Sequence, residues 1–388
     1  MIIAFVSDAV FPWHIGGVEA MEYGIMKRLA KRHDVYCFCL QFPGMKKEFV
    51  RDGIHYICVL SASSFYTKDG KRSIGLAARF GGAVARYMKG YEFDMVYANA
   101  FPYFHLPPLK RYCRAKGSRL VVDVAEVWML DEWKGYLGEL KGRLGYMYMK
   151  HALLGADMYV AVSSTTASKL RSVGVDDSSI MIFAPVLDLS HLRRLSAGMR
   201  RKTGKNKLKT VLFNGRLIKE KGMDEWIEIV AAAHRLDGNV RGLMIGSGPE
   251  SERVKSILKE RGYGFIRFIP KFVSKGKLYS YIMDSSFLLQ SSHREGLSII
   301  VLESIALGTP VILPDYTPIP DEVKKMCTVL PVDKIPAFIS DKGKVSASLD
   351  KRDLGALSGF SYESIPSFFS TMFKRLGLVS GRRMGKRG

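Results

Sequence analysis

Two glutamates separated by seven residues, Glu295 and Glu303, stand in the otherwise apolar stretch SSHREGLSIIVLESIALGTPVILPD, where carboxylates are costly to bury. The pattern reads as a strand FLLQSS, a loop HREGL, a helix SIIVLESIALG closed by Gly308 with Pro310 beyond it, and a strand TPVIL. Glu295 then lies in the loop at a strand's carboxyl end and Glu303 in the second helical turn. Leu302, Ile305 and Ala306 form the buried stripe, so Glu303 need not lie in the core and can face the cleft. The amides near Gly296, Leu297 and Ser298 are the positive end of the helix, suited to an anion such as a diphosphate. A carboxylate beside such a site can accept hydrogen bonds from sugar hydroxyls. The competing reading makes Glu295 a capping acid and Glu303 a solvated helix residue.

Two further constellations point to the same chemistry. In NGRLIKEKGMDEW, Arg216 and Lys221 follow a strand and lead into a helix. A guanidinium fork and an ammonium together match a diphosphate that departs with extra negative charge, although an ordinary basic loop would look alike. In SDAVFPWHIGGVE, Gly16 and Gly17 come between the first strand and the first helix. Backbone without side chains can approach a phosphate closely there, or merely make a tight turn.

The elements that must position these groups alternate along the whole chain. IIAFVS, VYCFCL, MVYANA, LVVDVA and MYVAVSS are apolar strands feeding amphipathic helices, the pattern of a parallel α/β sheet. After a basic, polar linker around Leu195 to Asn206 the pattern restarts with TVLFNGRL, RGLMIGSG, FIRFIP and FLLQSS. Two doubly wound parallel-sheet domains in succession follow, with ligands in the cleft beyond the carboxyl ends of the strands. The expected boundaries are 1–195 and 207–355 for the two Rossmann-like domains, 356–376 for a terminal helix and 377–388 for a basic tail.

Composition limits the remaining classes. With 388 residues, 47 % of them hydrophobic, the chain can bury two separate cores. Its start reads as a strand rather than a secretory leader, and its longest apolar runs fall short of the roughly 20 residues that span a bilayer. The five scattered cysteines lack zinc spacing and read as reduced thiols of a cytoplasmic protein. No Asp-x-Asp metal pair is present, and no metal or other cofactor is expected. IGSGPE has Ser251 where a dinucleotide fingerprint needs its third glycine, which argues against a nicotinamide cofactor. The formal charge of +22 calls for an anionic partner. Nucleic acid is not expected, since the basic GRRMGKRG terminus is accompanied by no helix-turn-helix or aromatic-interleaved basic motif. The stretch 132–155 mixes aromatic, apolar and basic residues. It fits either peripheral docking on an anionic membrane surface or a helix packed on its own domain with a solvated basic face.

Taken in order, GGVE, GRLIKEKG, IGSGPE and EGLSIIVLE resemble the retaining glycosyltransferases of family 4, which have the GT-B fold, over about residues 2–373. The resemblance implies two Rossmann-like domains facing a central cleft and transfer of a hexosyl group from a nucleotide-sugar to a glycan or lipid-linked acceptor. It implies that Arg216 and Lys221 hold the donor diphosphate, that Glu303 binds the ribose hydroxyls, and that Glu295 with the backbone of Gly296, Leu297 and Ser298 contacts the donor sugar and phosphate. Gly16 and Gly17 would approach the diphosphate from the other domain, and the segment containing Lys271 and Val273 would contact the base. The chain departs from the family at Ala125, where many members carry a histidine, and in MIFAPVLDL, where only Asp188 of the usual turn is kept. Asp123, Glu126, His14 and His105 are the remaining polar candidates for acceptor or sugar, with Asp123 equally able to point into its own domain. The alternatives are a sugar-nucleotide epimerase on the same fold and a non-catalytic basic protein.

Overall fold

The computed structural model describes residues 1–14, 16–64, 72–184, 186–198, 208–341 and 355–378. The chain divides into two compact units, Met1–Val186 with Phe360–Gly388, and Leu187–Gly359. The stretch expected as a linker, 195–206, begins as the last turn of the helix Leu189–Gly198. The rest of it, like most of the basic tail, lies outside the described residues.

The first domain is built on an eight-stranded sheet. Its strands are β1 Ile2–Val6, β2 Asp34–Gln41, β3 Glu48–Arg51, β4 Ile54–Ser61, β5 Met95–Asn99, β6 Arg119–Val124, β7 Met158–Ala161 and β8 Ile180–Ile182. They are ordered β3-β4-β2-β1-β5-β6-β7-β8. All neighbours are parallel except β3, which pairs antiparallel with β4. Three of these strands, β3, β4 and β8, are absent from the sequence reading. The β3–β4 hairpin turns on Asp52 and Gly53, both at positive φ (53° and 78°), and an Asp-Gly pair between alternating residues is the signal that marks it. The core strands are nearly continuous apolar runs because helices cover both faces.

The helix Ile365–Arg375 belongs to this first domain. Phe369 sits against Tyr97 (ring centroids 5.9 Å), Phe373 against His33 (5.5 Å), and Phe368 stacks on Phe183 (3.7 Å). Tyr362, just before it, donates to the carbonyl of Ala20 (3.3 Å) and lies under the Arg28 guanidinium (4.4 Å). A Cβ at Gly24 would stand 2.5 Å from the Tyr362 ring, so only glycine lets the first helix, Gly17–Leu29, meet that ring.

The second domain contains six strands, β9 Lys209–Asn214, β10 Val240–Ile245, β11 Ile266–Ile269, β12 Phe287–Leu289, β13 Val311–Pro314 and β14 Thr328–Leu330. They are all parallel and ordered β11-β10-β9-β12-β13-β14. Renumbered from β9, this is the 3-2-1-4-5-6 order of a dinucleotide-binding sheet, and the order reverses between β9 and β12. The crevice beyond the carboxyl ends of those two strands is where such sheets take their ligands. Among the described residues no helix is long and apolar enough to cross a membrane.

Candidate functional site

Arg216 and Lys221 follow β9, and Glu295 follows β12, so both polar loops leave the strands that flank the reversal point. After β9 a short 3-10 turn, Lys219–Lys221, ends at Gly222 in the left-handed region (φ 64°), which starts the helix Met223–Leu236. A Cβ at residue 222 would lie 2.0 Å from the carbonyl oxygen of Ser291. Glycine is required twice over at this position, by its φ and by the approach of the second loop. Ser291 Oγ donates to the Gly222 carbonyl (2.7 Å) and His293 N to the Glu220 carbonyl (2.8 Å), fastening the loops together.

Across that seam Lys221 Nζ lies 2.6 Å from Glu295 Oε1, which also accepts from Gln290 Nε2 at 2.8 Å. The Glu295 side chain is 8 % exposed and that of Lys221 22 %. The buried carboxylate is therefore paired and hydrogen-bonded, which is what its position demands. Arg216 is half-buried in the loop between β9 and the 3-10 turn.

Glu303 departs from the expected outward-facing position. Every residue from Ile300 to Ala306 of the helix Ile299–Ala306 is buried, and Glu303 is only 3 % exposed. Its carboxylate is held by the Lys275 ammonium and by Tyr279 Oη (3.1 Å), and both contacts fall on Oε1. Lys275 and Tyr279 open the helix Lys275–Asp284, and neither was among the sequence candidates. The available signal is that they stand four apart at the start of a helix following a strand, and so share one face.

Ser298 caps the Ile299–Ala306 helix through its backbone, without a side-chain hydrogen bond, and Gly296 and Leu297 form the loop before it. The first-turn amides of that helix emerge at the carboxyl end of β12. Exposed Lys271 and half-buried Val273 lie beyond β11 on the same edge of the sheet, two strands from β9, in the segment that leads to Lys275.

The first domain gathers a second polar group where its own strand order reverses, between β1 and β5. Gly16 is the extended N-cap of the helix Gly17–Leu29. The Glu19 carboxylate folds back over it, so near that a Cβ at residue 16 would meet Oε2 at 2.0 Å. His14 Nδ1 is 3.0 Å from Glu19 Oε1. The positive helix end thus already carries a carboxylate of its own.

Asp123, next to last in β6, is 1 % exposed. Burial pushes its carboxyl up to about 7. Glu22 on the first helix is equally buried and accepts from Asn99 Nδ2 at 3.1 Å. Burial, then the neighbouring Asp123 charge, raise its carboxyl well above the usual range. Glu126 is half-buried in the loop after β6, beside Ala125. His105 does not serve as a polar group at a strand end. It is fully buried, its Nε2 is 2.6 Å from the Asn99 carbonyl oxygen, and burial lowers it to about 4, so it stays a neutral structural imidazole. Sequence reasoning also missed the Asp8–Arg72 pair (2.8 Å) just after β1, and no described residues form a cluster able to hold a metal ion.

Two family models match the chain in succession, Glycosyltransferase Family 4 over residues 15–191 and Glycosyl transferases group 1 over residues 197–330. Among curated relatives, a putative teichuronic acid biosynthesis glycosyltransferase TuaC of Bacillus subtilis is 25 % identical over 43 % of this chain and 40 % of its own length. A GDP-mannose-dependent α-(1-6)-phosphatidylinositol monomannoside mannosyltransferase of Mycobacterium tuberculosis is 25 % identical over 46 % of this chain and 49 % of its own. Each match spans less than half of the relative. Solved structures share the fold over almost the whole chain. Sucrose-phosphate synthase from Thermosynechococcus elongatus has a TM-score of 0.71 at 15 % identity, covering 97 % of this chain and 99 % of that one. Anabaena HepE, in complex with UDP and glucose, has 0.69 at 14 % identity, covering 96 % and 99 %.

Proposed function

The chain belongs to glycosyltransferase family 4, and from that premise we propose that it moves a hexosyl group from a nucleotide-sugar to a glycan or lipid-linked acceptor with retention of configuration. The observation that carries the reading is the Lys221–Glu295 pair at the reversal point of the second sheet. It puts a cation and a carboxylate on adjoining loops beside the positive end of the Ile299–Ala306 helix.

The chemistry follows from where charge develops. As the bond from the anomeric carbon to the phosphate oxygen breaks, negative charge grows on the diphosphate. Arg216, Lys221 and the first-turn amides of the helix stabilise it. These groups supply the positive charge that a divalent ion would bring, so we read the reaction as metal-independent. The acceptor oxygen bonds to the anomeric carbon on the face the phosphate leaves, and its proton passes to the departing phosphate oxygen. Glu303, anchored through Oε1 by Lys275 and Tyr279, presents its other oxygen to the ribose hydroxyls, and Glu295 orients the donor sugar. Lys271 and Val273 line the base. Asp8, Arg72 and Glu126, near the strand ends of the first domain, are the acceptor-side groups. The name of the mycobacterial relative and the UDP bound to HepE support a nucleotide-sugar donor.

The test is binding and turnover of a panel of nucleotide-sugars in the presence of a chelator, with Lys221→Ala and Glu303→Ala alongside the unaltered chain. Release of a nucleoside diphosphate from one donor, weakened strongly by both substitutions, upholds the reading. Indifference of every donor to both substitutions overturns it.

A further inference from the structure

The stretch 132–155 resolves into an inner and an outer set of apolar residues. Trp133 is buried, in edge contact with Trp128 (5.3 Å) and beside Tyr103 (6.3 Å). Tyr136 accepts from the backbone of Arg72 (3.1 Å), and Tyr148 stacks on Phe104 (4.8 Å). Leu137 and Tyr146 pack on the same core. These side chains are accounted for by the domain itself.

Three others are not. On the helix Glu139–Leu153, Leu140 is 73 % exposed, Leu144 60 % and Met147 66 %. Their spacing of four and three residues aligns them as one stripe along the helix. Scattered exposed apolar residues are ordinary, but an aligned row of three is a patch. Exposed Arg143 and Lys150 flank the row on one side and exposed Lys141 on the other. The one carboxylate of this helix, Glu139, is neutralised by Arg143 (2.7 Å) and Lys134 (3.1 Å). At the helix's carboxyl end Lys110 Nζ holds the carbonyls of His151 (3.1 Å) and Leu154 (2.8 Å), with exposed Arg114 beside Gly155.

We infer that this helix face docks on an anionic phospholipid surface, with Leu140, Leu144 and Met147 entering the interface and the flanking cations meeting headgroup phosphates. Two observations choose this occupant. Three side chains on one helix expose far less than the roughly 800 Å² per partner that a stable dimer buries. A rim of cations on a chain of charge +22 repels a second copy and is drawn to an anionic leaflet, where each charge near the surface strengthens binding roughly fivefold. The inference deepens the proposed function by choosing a lipid-linked acceptor. One helix, Leu130–Leu137, separates it from the segment carrying Glu126 and Trp128, so docking sets the membrane against the domain that carries the acceptor-side residues.

The experiment is vesicle flotation of the full chain on phosphatidylcholine alone and on equal parts phosphatidylcholine and phosphatidylglycerol. Variants are Leu144→Ser with Met147→Ser, Lys141→Glu with Lys150→Glu, and Leu236→Ser as a control at an exposed apolar position of the second domain. Binding to the anionic vesicles is expected, reduced at least about tenfold by either double substitution and unchanged in the control. Thermal unfolding and nucleotide-sugar binding should match the unaltered chain in all variants, which separates failure of docking from failure of the transferase reading. Absence of binding to anionic vesicles overturns the inference, as does a serine pair that binds like the unaltered chain. Concentration-dependent self-association in sedimentation that the serine pair abolishes would assign the face to a second copy and overturn it as well.

Discussion

Lys221 Nζ lies 2.6 Å from Glu295 Oε1, joining the loop after β9 to the loop after β12. Each residue solves the other's problem. The carboxylate gains the partner that burial demands, and the ammonium is held in one place before any ligand arrives. Lys221→Ala should therefore lower kcat/KM for the donor by about 100-fold or more, the scale for removing one preorganised charge from a developing oxyanion. Steady-state kinetics read the loss. A change below fivefold would remove Lys221 from the transition state.

The Lys275–Glu303 contact is lopsided, with a largely exposed ammonium over a carboxylate that is 4 % exposed. Lys275→Ala leaves that carboxylate with Tyr279 alone, at a cost of about 1–3 kcal/mol. Thermal unfolding should show the loss, and the donor KM should rise because Glu303 is freed to rotate. Unchanged stability together with unchanged KM would show that Tyr279 suffices.

Asp123 and Glu22 give the first domain a pH dependence of definite sign. A carboxyl raised in the folded state from the ordinary 3.8 to about 7 binds more protons folded than unfolded across that window. Stability then falls as pH rises from about 4 to about 7 and flattens beyond. The Asp123 share is at most on the order of 4 kcal/mol. Asp123→Asn should flatten the profile and be more stable than the unaltered chain at pH 8. Denaturant unfolding against pH decides it, and an Asn variant with the original slope would refute the assignment.

Gly24 and Tyr362 can be tested as a pair. Gly24→Val should drive the Tyr362 ring off the first helix and expose the segment after it, so limited proteolysis should release the C-terminal helix sooner. Adding Tyr362→Ala should restore part of the resistance. Failure of that rescue would place the strain elsewhere.

Most of the two-sheet architecture was legible because long apolar strands alternate with helices and each carries its own period. The opening segment was harder to read. SIIVLESIALG is apolar nearly all round, so choosing Leu302, Ile305 and Ala306 as a stripe imposed a side on a helix that has none, and a helix apolar on every face is buried on every face. That is why Glu303 lies inside. Its partner Lys275, twenty-eight residues away, is a tertiary fact that no local pattern carries. His105 is the reverse case, a histidine near a strand end whose burial no local pattern in the sequence reveals. The β3–β4 hairpin is legible through Asp52-Gly53, both at positive φ.

The carbonyl of Phe360 accepts from the backbone of Val186 at 2.9 Å, so the chain re-enters the first domain beside the point where it left. Residues 187–359 are in this sense an insertion into a domain begun before them. On a ribosome that domain stays unfinished, lacking Phe369 and Phe373, until the whole second domain has been made. The neighbouring ends also offer a simple excision: joining residue 186 to residue 360 through a short linker would yield the first domain as one continuous polypeptide.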